Sequence, residues 1–223
     1  MHSTLICFVS FVVNYVSAHD REAPPTNCSC QALVTTLDDV GGGVCNCVED
    51  LLELRCDRLD RVPQFSDGFR CVLSGVYMAN QSIRRLGPNA FSNLSTRRLV
   101  LSFNNIEDRL HAAAFSGNLS TVLQELYLGA CRLSVLPLGL LDNMNSLNVL
   151  HLWHNRIAQI PADLFADCVS LRELILSYNA IVSLDANTFT ALRNLRKLDL
   201  DGNEISSLSR DVFSGLDNLQ VIS

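Results

Sequence analysis

The stretch Leu147-Asn148-Val149-Leu150-His151-Leu152-Trp153-His154-Asn155-Arg156-Ile157 decides the fold, because its pattern returns at a fixed distance on both sides. Equivalent starts fall at Leu123, Leu147, Leu171 and Leu195, each 24 residues from the last, and Leu219 opens a further turn. The fourth and sixth places of the pattern are Leu126 and Leu128, Leu150 and Leu152, Leu174 and Leu176, and Leu198 and Leu200, without substitution. Further apolar marks follow at Leu133, Ile157, Ile181 and Ile205, and then at Leu136, Ile160, Leu184 and Leu208. A constant period of this length identifies a stacked-repeat architecture, in which each unit buries its apolar face only against its neighbours.

Toward the N-terminus the pattern weakens but persists, with Leu73, Val76, Met78 and Ile83 in one repeat and Leu99, Leu101, Asn104 and Ile106 in the next. The latter begins at Thr96 and runs for 27 residues before Leu123, so its extra length is expected to loop out around Ser116-Gly117-Asn118. Matched to the template L-x-x-L-x-L-x-x-N-x-L, residues 45–223 resemble the leucine-rich-repeat family. That resemblance implies an α/β solenoid: a horseshoe with a concave parallel β-sheet and an irregular or short-helical convex side. Alternation along each short strand sends the leucines inward and the intervening residues to the open face. At the ninth place stand Asn104, Asn155, Asn179 and Asn203, with Gln81 and Cys131 as departures. In the family these side chains bond backbone groups where the chain leaves the strand, so Cys131 reads as structural. Phe91, Phe165, Phe189 and Phe213 share one offset and are expected to form an aromatic spine, with Leu141 in place of a ring and Phe115 displaced by the insertion. Three residues beyond that offset Cys168 takes a core slot, and is expected to be a buried free thiol.

The expected organisation is a signal peptide over 1–18, a cysteine-rich cap over 19–72 whose start is poorly structured, and leucine-rich repeats over 73–223, six of them plus the start of a seventh. The first eighteen residues carry no Asp, Glu, Lys or Arg, and after their apolar run Val16 and Ala18 are small enough to suit cleavage before His19. No segment approaches a bilayer-spanning length, so no membrane span is expected within the chain, and a membrane anchor, if present, belongs to a region beyond Ser223. The pattern stops inside a strand at Ile222-Ser223, which reads as a C-terminally incomplete solenoid. The expected location is the secretory route, as a secreted protein or on the extracellular face of the plasma membrane.

Cysteine placement supports that route. Cys28, Cys30, Cys45, Cys47, Cys56 and Cys71 cluster early, and disulfides are the default for such a cluster in an oxidising compartment. Six cysteines permit fifteen pairings, which spacing cannot resolve. The segment from Cys45 to Pro63 resembles the N-terminal module of extracellular leucine-rich-repeat proteins such as Slit, Toll-like receptors and small proteoglycans. Its pairing implies Cys45 with Cys56, and Cys47 with Cys28 or Cys30, leaving the other of these for Cys71. Sequons at Asn27, Asn80, Asn93 and Asn118 point to glycosylation in the same compartment.

With 17 basic against 23 acidic residues, the formal charge of −6 argues against a nucleic-acid partner. No nucleophile elbow, metalloprotease helix or phosphate-cradling loop is present, so neither catalysis nor a cofactor is expected. His151 and His154 are the one pair suggestive of a metal, but they fall in different columns of the sheet and no metal is expected there. Function is expected on the concave face, where Phe103, Tyr127, His151, Trp153, His154 and Tyr178 occupy outward places in adjacent repeats. Contiguous exposed rings have the composition of interface hot spots. The reading is therefore a recognition module for adhesion, guidance or receptor signalling that binds a protein or glycoprotein. The alternatives are an innate immune pattern-recognition ectodomain, or a targeting module of a larger enzyme whose catalytic domain lies beyond residue 223.

Overall fold

The computed structural model describes residues 44–48, 52–63, 65 and 71–223. One sheet runs through them in sequence order: β1 (Val44–Val48), β2 (Glu53–Asp57), β3 (Gly75–Tyr77), β4 (Arg98–Val100), β5 (Glu125–Tyr127), β6 (Val149–His151), β7 (Glu173–Ile175), β8 (Lys197–Asp199) and β9 (Val221–Ile222). Every neighbouring pair from β2 to β9 is parallel, and β1 alone is antiparallel to its neighbour. This is the leucine-rich-repeat solenoid that the period implies.

Register follows from the leucines. Leu54, Val76, Leu99, Leu126, Leu150, Leu174 and Leu198 align across the sheet and are wholly buried. A slip by one residue would turn this row to solvent, so the row pins the pairing. Truncating any of these leucines to Ala is expected to cost about 2–5 kcal/mol. Behind the sheet, Phe91 stacks on Phe115 at 5.7 Å and Phe165 on Phe189 at 6.1 Å. Phe115 keeps its place in the spine despite the insertion. The extra residues after it form α1 (Asn118–Val122), the one α-helix among the described residues, entered through Gly117 at φ 89°. The insertion thus lies where the sequence places it, but as a helical turn rather than an open loop.

Each strand ends in the same way. The eighth place of every repeat, occupied by Asn80, Phe103, Ala130, His154, Tyr178 and Gly202, has a left-handed backbone with φ between 51° and 66°. For the non-glycine residues this costs on the order of 1 kcal/mol each. The hydrogen-bond ladder continues through them nonetheless: Phe103 N donates to Gly129 O, Ala130 N to Trp153 O, His154 N to Ser177 O and Tyr178 N to Asp201 O.

The asparagines then hold the turn. Asn155 Oδ1 accepts from the backbone N–H of Cys131 and of Leu133, both at 3.0 Å, while its Nδ2 donates to Leu128 O at 2.9 Å and Leu152 O at 2.8 Å. Asn104, Asn179 and Asn203 repeat the arrangement, and Gln81 Oε1 accepts from Leu59 N in the cap. Cys131 keeps only the donor half: its Sγ donates to Leu101 O at 3.2 Å. Burial pushes the thiols of Cys131 and Cys168 up to about 12, and both are unpaired, which fits inert core residues.

At the N-terminal end β1 lies across β2, and a disulfide joins the facing residues Cys45 and Cys56. Cys47 and Cys71 are also disulfide-bonded. Cys28 and Cys30, from which the sequence draws their partners, lie outside the described residues, as do the 1–18 segment and Asn27. In the last turn Leu208, Val221 and Ile222 are 45%, 50% and 49% exposed, so Leu208 does not repeat the burial of Leu136, Ile160 and Leu184. Among the described residues no neighbouring turn covers it.

Candidate functional site

The concave face divides into two zones with different chemistry. The first is a column on the strands themselves, at the fifth place: Arg55, Tyr77, Val100, Tyr127, His151, Ile175 and Asp199. Beside it, at the third place, run Glu53, Gly75, Arg98, Glu125, Val149, Glu173 and Lys197. The two columns are stitched together by charge. Arg98 grips Glu125 with both ends of its fork, Nε to Oε2 at 2.6 Å and Nη2 to Oε1 at 2.8 Å. Its Nη1 reaches the Tyr77 hydroxyl at 3.3 Å, and that hydroxyl donates to Glu53 Oε1 at 3.2 Å. The Arg55 guanidinium ion-pairs with Glu53 at 2.9 Å and sits 5.3 Å from the Tyr77 ring centre. Tyr127 donates to Glu125 Oε2 at 2.8 Å, and Glu173 Oε1 lies 3.3 Å from His151 Nε2 and 3.0 Å from Lys197 Nζ.

These contacts set the ionisation of the face. Burial opposes the charge on Arg98, but the Glu125 carboxylate outweighs it and holds the guanidinium more firmly protonated than usual. Burial, reinforced by Glu125, raises the Tyr127 hydroxyl. For Tyr77 burial also wins, although Arg98 pulls the other way. Hydrogen bonds from His151 and then Lys197 hold the Glu173 carboxyl down to about 2, against a smaller opposing effect of burial. From Glu53 to Lys197 this zone pairs its own charges.

Tyr127 corrects an expectation from the sequence. Its direction is as read, away from the leucine core, yet it is only 7% exposed. Val100 and His151 flank it in the column, the His151 ring packs edge-on at 4.8 Å, and its hydroxyl is tied to Glu125. It is a component of the sheet rather than an exposed contact. Tyr77, which the sequence reading passed over, stands in this column and could have been found from that shared place.

The second zone lies at the C-terminal end of the strands, on the seventh and eighth places. Because a left-handed residue interrupts the alternation there, both places can carry side chains outside the core. Phe103 meets Trp153 edge-to-face at 5.4 Å, Trp153 meets His154 at 5.4 Å, and His154 stacks flat on Tyr178 at 4.5 Å. The link from Phe103 to Trp153 skips a whole repeat. It is possible because that repeat supplies Gly129 and Ala130: a Cβ on Gly129 would stand 2.4 Å from Trp153 Cε2. At the other end the Tyr178 ring lies over Gly202, where a Cβ would come within 2.7 Å. Tyr178 is 51% exposed, His154 is exposed, and Phe103 and Trp153 are half-buried. Four of the six sequence-selected residues therefore form one continuous ribbon of rings, while Tyr127 and His151 form a separate pair.

His151 and His154 do not converge, since one faces Glu173 and the other Tyr178, and no group of three metal-ligating side chains occurs among the described residues. Among the expected glycan positions, Asn80 is exposed in the same left-handed column as the rings, and Asn118 is exposed at the start of α1. Asn93 is half-buried, and its Nδ2 donates to Phe65 O at 3.0 Å. No helix among the described residues is long and apolar enough to cross a membrane.

Residues 121–181 and 169–223 match the family described as Leucine rich repeat. Among solved structures, a chain of the TLR13–ssRNA13 complex is 34% identical with a TM-score of 0.63, over 67% of this chain and 21% of that one. A chain of the Drosophila Toll–Spatzle complex, in its glycosylated form, is 21% identical with a TM-score of 0.57, over 67% of this chain and 23% of that one, and shows the shared fold. The chain thus spans about a fifth of the length of these solved relatives, 21% and 23%. No curated protein sequence matches it.

Proposed function

We propose that this leucine-rich-repeat chain is an extracellular recognition module, of the adhesion, guidance or receptor-ectodomain kind, that binds a protein or glycoprotein through the ribbon Phe103–Trp153–His154–Tyr178. The observation that carries the reading is the division of the concave face. Its central columns are occupied by their own ion pairs, whereas the ribbon leaves the outer parts of its rings open to solvent, Tyr178 and His154 most of all. Aromatic side chains with polar handles, held rigid by mutual stacking, supply contact area at low entropic cost. The mixed charge of the neighbouring columns suits a protein surface of mixed charge rather than a polyphosphate. The Cys45–Cys56 bond supports an oxidising location. The relation to TLR13 at 34% identity favours, as a second reading, an innate immune recognition ectodomain using the same ribbon.

The test is a binding screen of the chain against an array of secreted and cell-surface proteins, repeated with Trp153→Ala/Tyr178→Ala and with Val135→Ser/Leu138→Ser. Val135 and Leu138 are 59% and 64% exposed away from the ribbon. The proposal expects at least one interactor that the ribbon variant loses and the control retains. Interactors that all survive the ribbon change, or an array with none, contradict it.

A further inference from the structure

The ribbon of rings also sets the chemistry of what can lie on it. Trp153 is wedged between Phe103 and His154, each 5.4 Å away and edge-to-face. Tyr178 has His154 flat against one face, and the Gly202 backbone stands on its other side. Tyr178 is nevertheless 51% exposed, so it is the ring rims, with clefts between them, that turn to solvent. A pyranose ring stacks on an open aromatic face, and here the faces are taken up by their neighbours.

The polar handles of the ribbon are donors. Among the described residues neither the Trp153 indole N–H nor the Tyr178 hydroxyl makes an intramolecular hydrogen bond, and the indole nitrogen is not enclosed. An indole N–H can only donate, and a phenol hydroxyl donates as well as accepts. The backbone beneath has no free ladder for an added strand, because the N–H groups of Phe103, His154 and Tyr178 already donate to the next coil at 2.9, 3.0 and 2.7 Å. Two carboxylates stand at the Tyr178 end. Asp201, whose carbonyl accepts from Tyr178 N, is exposed, and Asp199 Oδ1 accepts from Asp201 N at 3.1 Å. Lys197, on the strand of Asp199, is bonded to Glu173 instead, and among the described residues neither Asp199 nor Asp201 is ion-paired.

We propose that the ribbon holds a polyproline II segment of the partner protein, flanked by a basic residue at the Tyr178 end, an inference that rests on the ribbon being the contact surface. Proline has no backbone N–H, so such a segment brings carbonyl acceptors to the indole and phenol donors and leaves no donor of its own unsatisfied. The pitch also fits. From the coil of Phe103 to that of Tyr178 the ribbon climbs three coils, about 15 Å, which about five residues of polyproline II cover. Phe103 and His154 stand two coils apart, about 10 Å, close to the roughly 9 Å turn of that helix, so prolines three residues apart meet the clefts beside those two rings. The segment is stiff before it binds, which lowers the entropic cost of docking on rings that are themselves fixed by stacking. Asp199 and Asp201 favour a Lys or Arg where the segment leaves the ribbon.

Calorimetric titration of the whole chain tests this with four probes: hexaproline carrying an arginine at each end, hexaproline carrying a glutamate at each end, a glycine–serine peptide of equal length with the arginine ends, and chitohexaose. Saturable binding is expected for the arginine-ended hexaproline, weaker by about threefold or more for the glutamate-ended one and by about tenfold or more for the other two. Trp153→Phe/Tyr178→Phe keeps the rings and removes both donors, and should lower the affinity about tenfold. Val135→Ser/Leu138→Ser should leave it within about twofold. Circular dichroism confirms the fold of both variants. The proposal is overturned if the arginine-ended hexaproline is not bound, if any of the other three probes binds as tightly, or if the two variants bind it equally. Such a failure beside ribbon-dependent interactors in the protein array strikes the proline segment alone and leaves the ribbon as the contact surface.

Discussion

Asn155 shows how one side chain fixes a turn of the solenoid. Its amide spans two coils, accepting from two backbone N–H groups and donating to two carbonyls, all at 3.0 Å or less. Asn155→Ala leaves these groups buried without partners and is expected to destabilise the chain by about 3 kcal/mol or more, measured by denaturant unfolding. Glu173 supplies a residue-scale prediction in pH. Its carboxyl, held by His151 and Lys197, titrates near 2 in the folded chain against 4.5 without them. A lowered folded value means that its contribution is complete above about pH 4.5 and is lost as the pH falls toward 2. Melting temperatures across that window should therefore fall more for the wild-type chain than for Glu173→Gln, whose amide does not titrate. Parallel curves would remove Glu173 from the account of acid sensitivity. At this scale the sequence was legible for the ladder, since a recurring asparagine marks one structural duty. It was not legible for Tyr127, because an outward place in the template fixes direction, whereas burial depends on the width of Val100 and His151 alongside and on the reach of Glu125.

The repeated element is a three-residue strand, a left-handed residue and a turn, and the ribbon of rings is a product of that junction. Periodicity assigns Phe103, Trp153, His154 and Tyr178 to outward places, but it does not say that Trp153 crosses a whole repeat to meet Phe103. That contact depends on a glycine at the seventh place of the repeat between them. Gly129 itself has no left-handed backbone, so Gly129→Ala is tolerated by the chain path and conflicts only with the indole. The variant is expected to keep its circular dichroism and its melting temperature to within a few degrees. Emission from Trp153, the sole tryptophan, should shift to longer wavelength as the ring is lifted into water. An unchanged emission spectrum would show that the indole does not lie over Gly129. The insertion before Leu123 teaches a related lesson: its position follows from counting residues, but its helical form follows from local bonds such as Leu123 N to Leu119 O.

At the scale of the molecule, the solenoid gives each surface its own long-range order, because every structural position repeats about 5 Å further along. The same stacking that lines up leucines in the core lines up ion pairs along the strands and rings at their ends. Fold and period were readable together from the sequence, since both rest on apolar residues whose burial is set by nearest neighbours. The split of the concave face into a self-paired centre and a partly exposed ribbon was not, because it depends on which charged side chains meet across strands. The central claim is that this ribbon contacts the partner. Its most direct test is fluorine NMR of the chain with Trp153 replaced by fluorotryptophan, titrated with an interactor from the array. The account predicts a saturable shift of the single resonance, reporting burial of the ring at the interface. Saturated binding that leaves the resonance unmoved would contradict it.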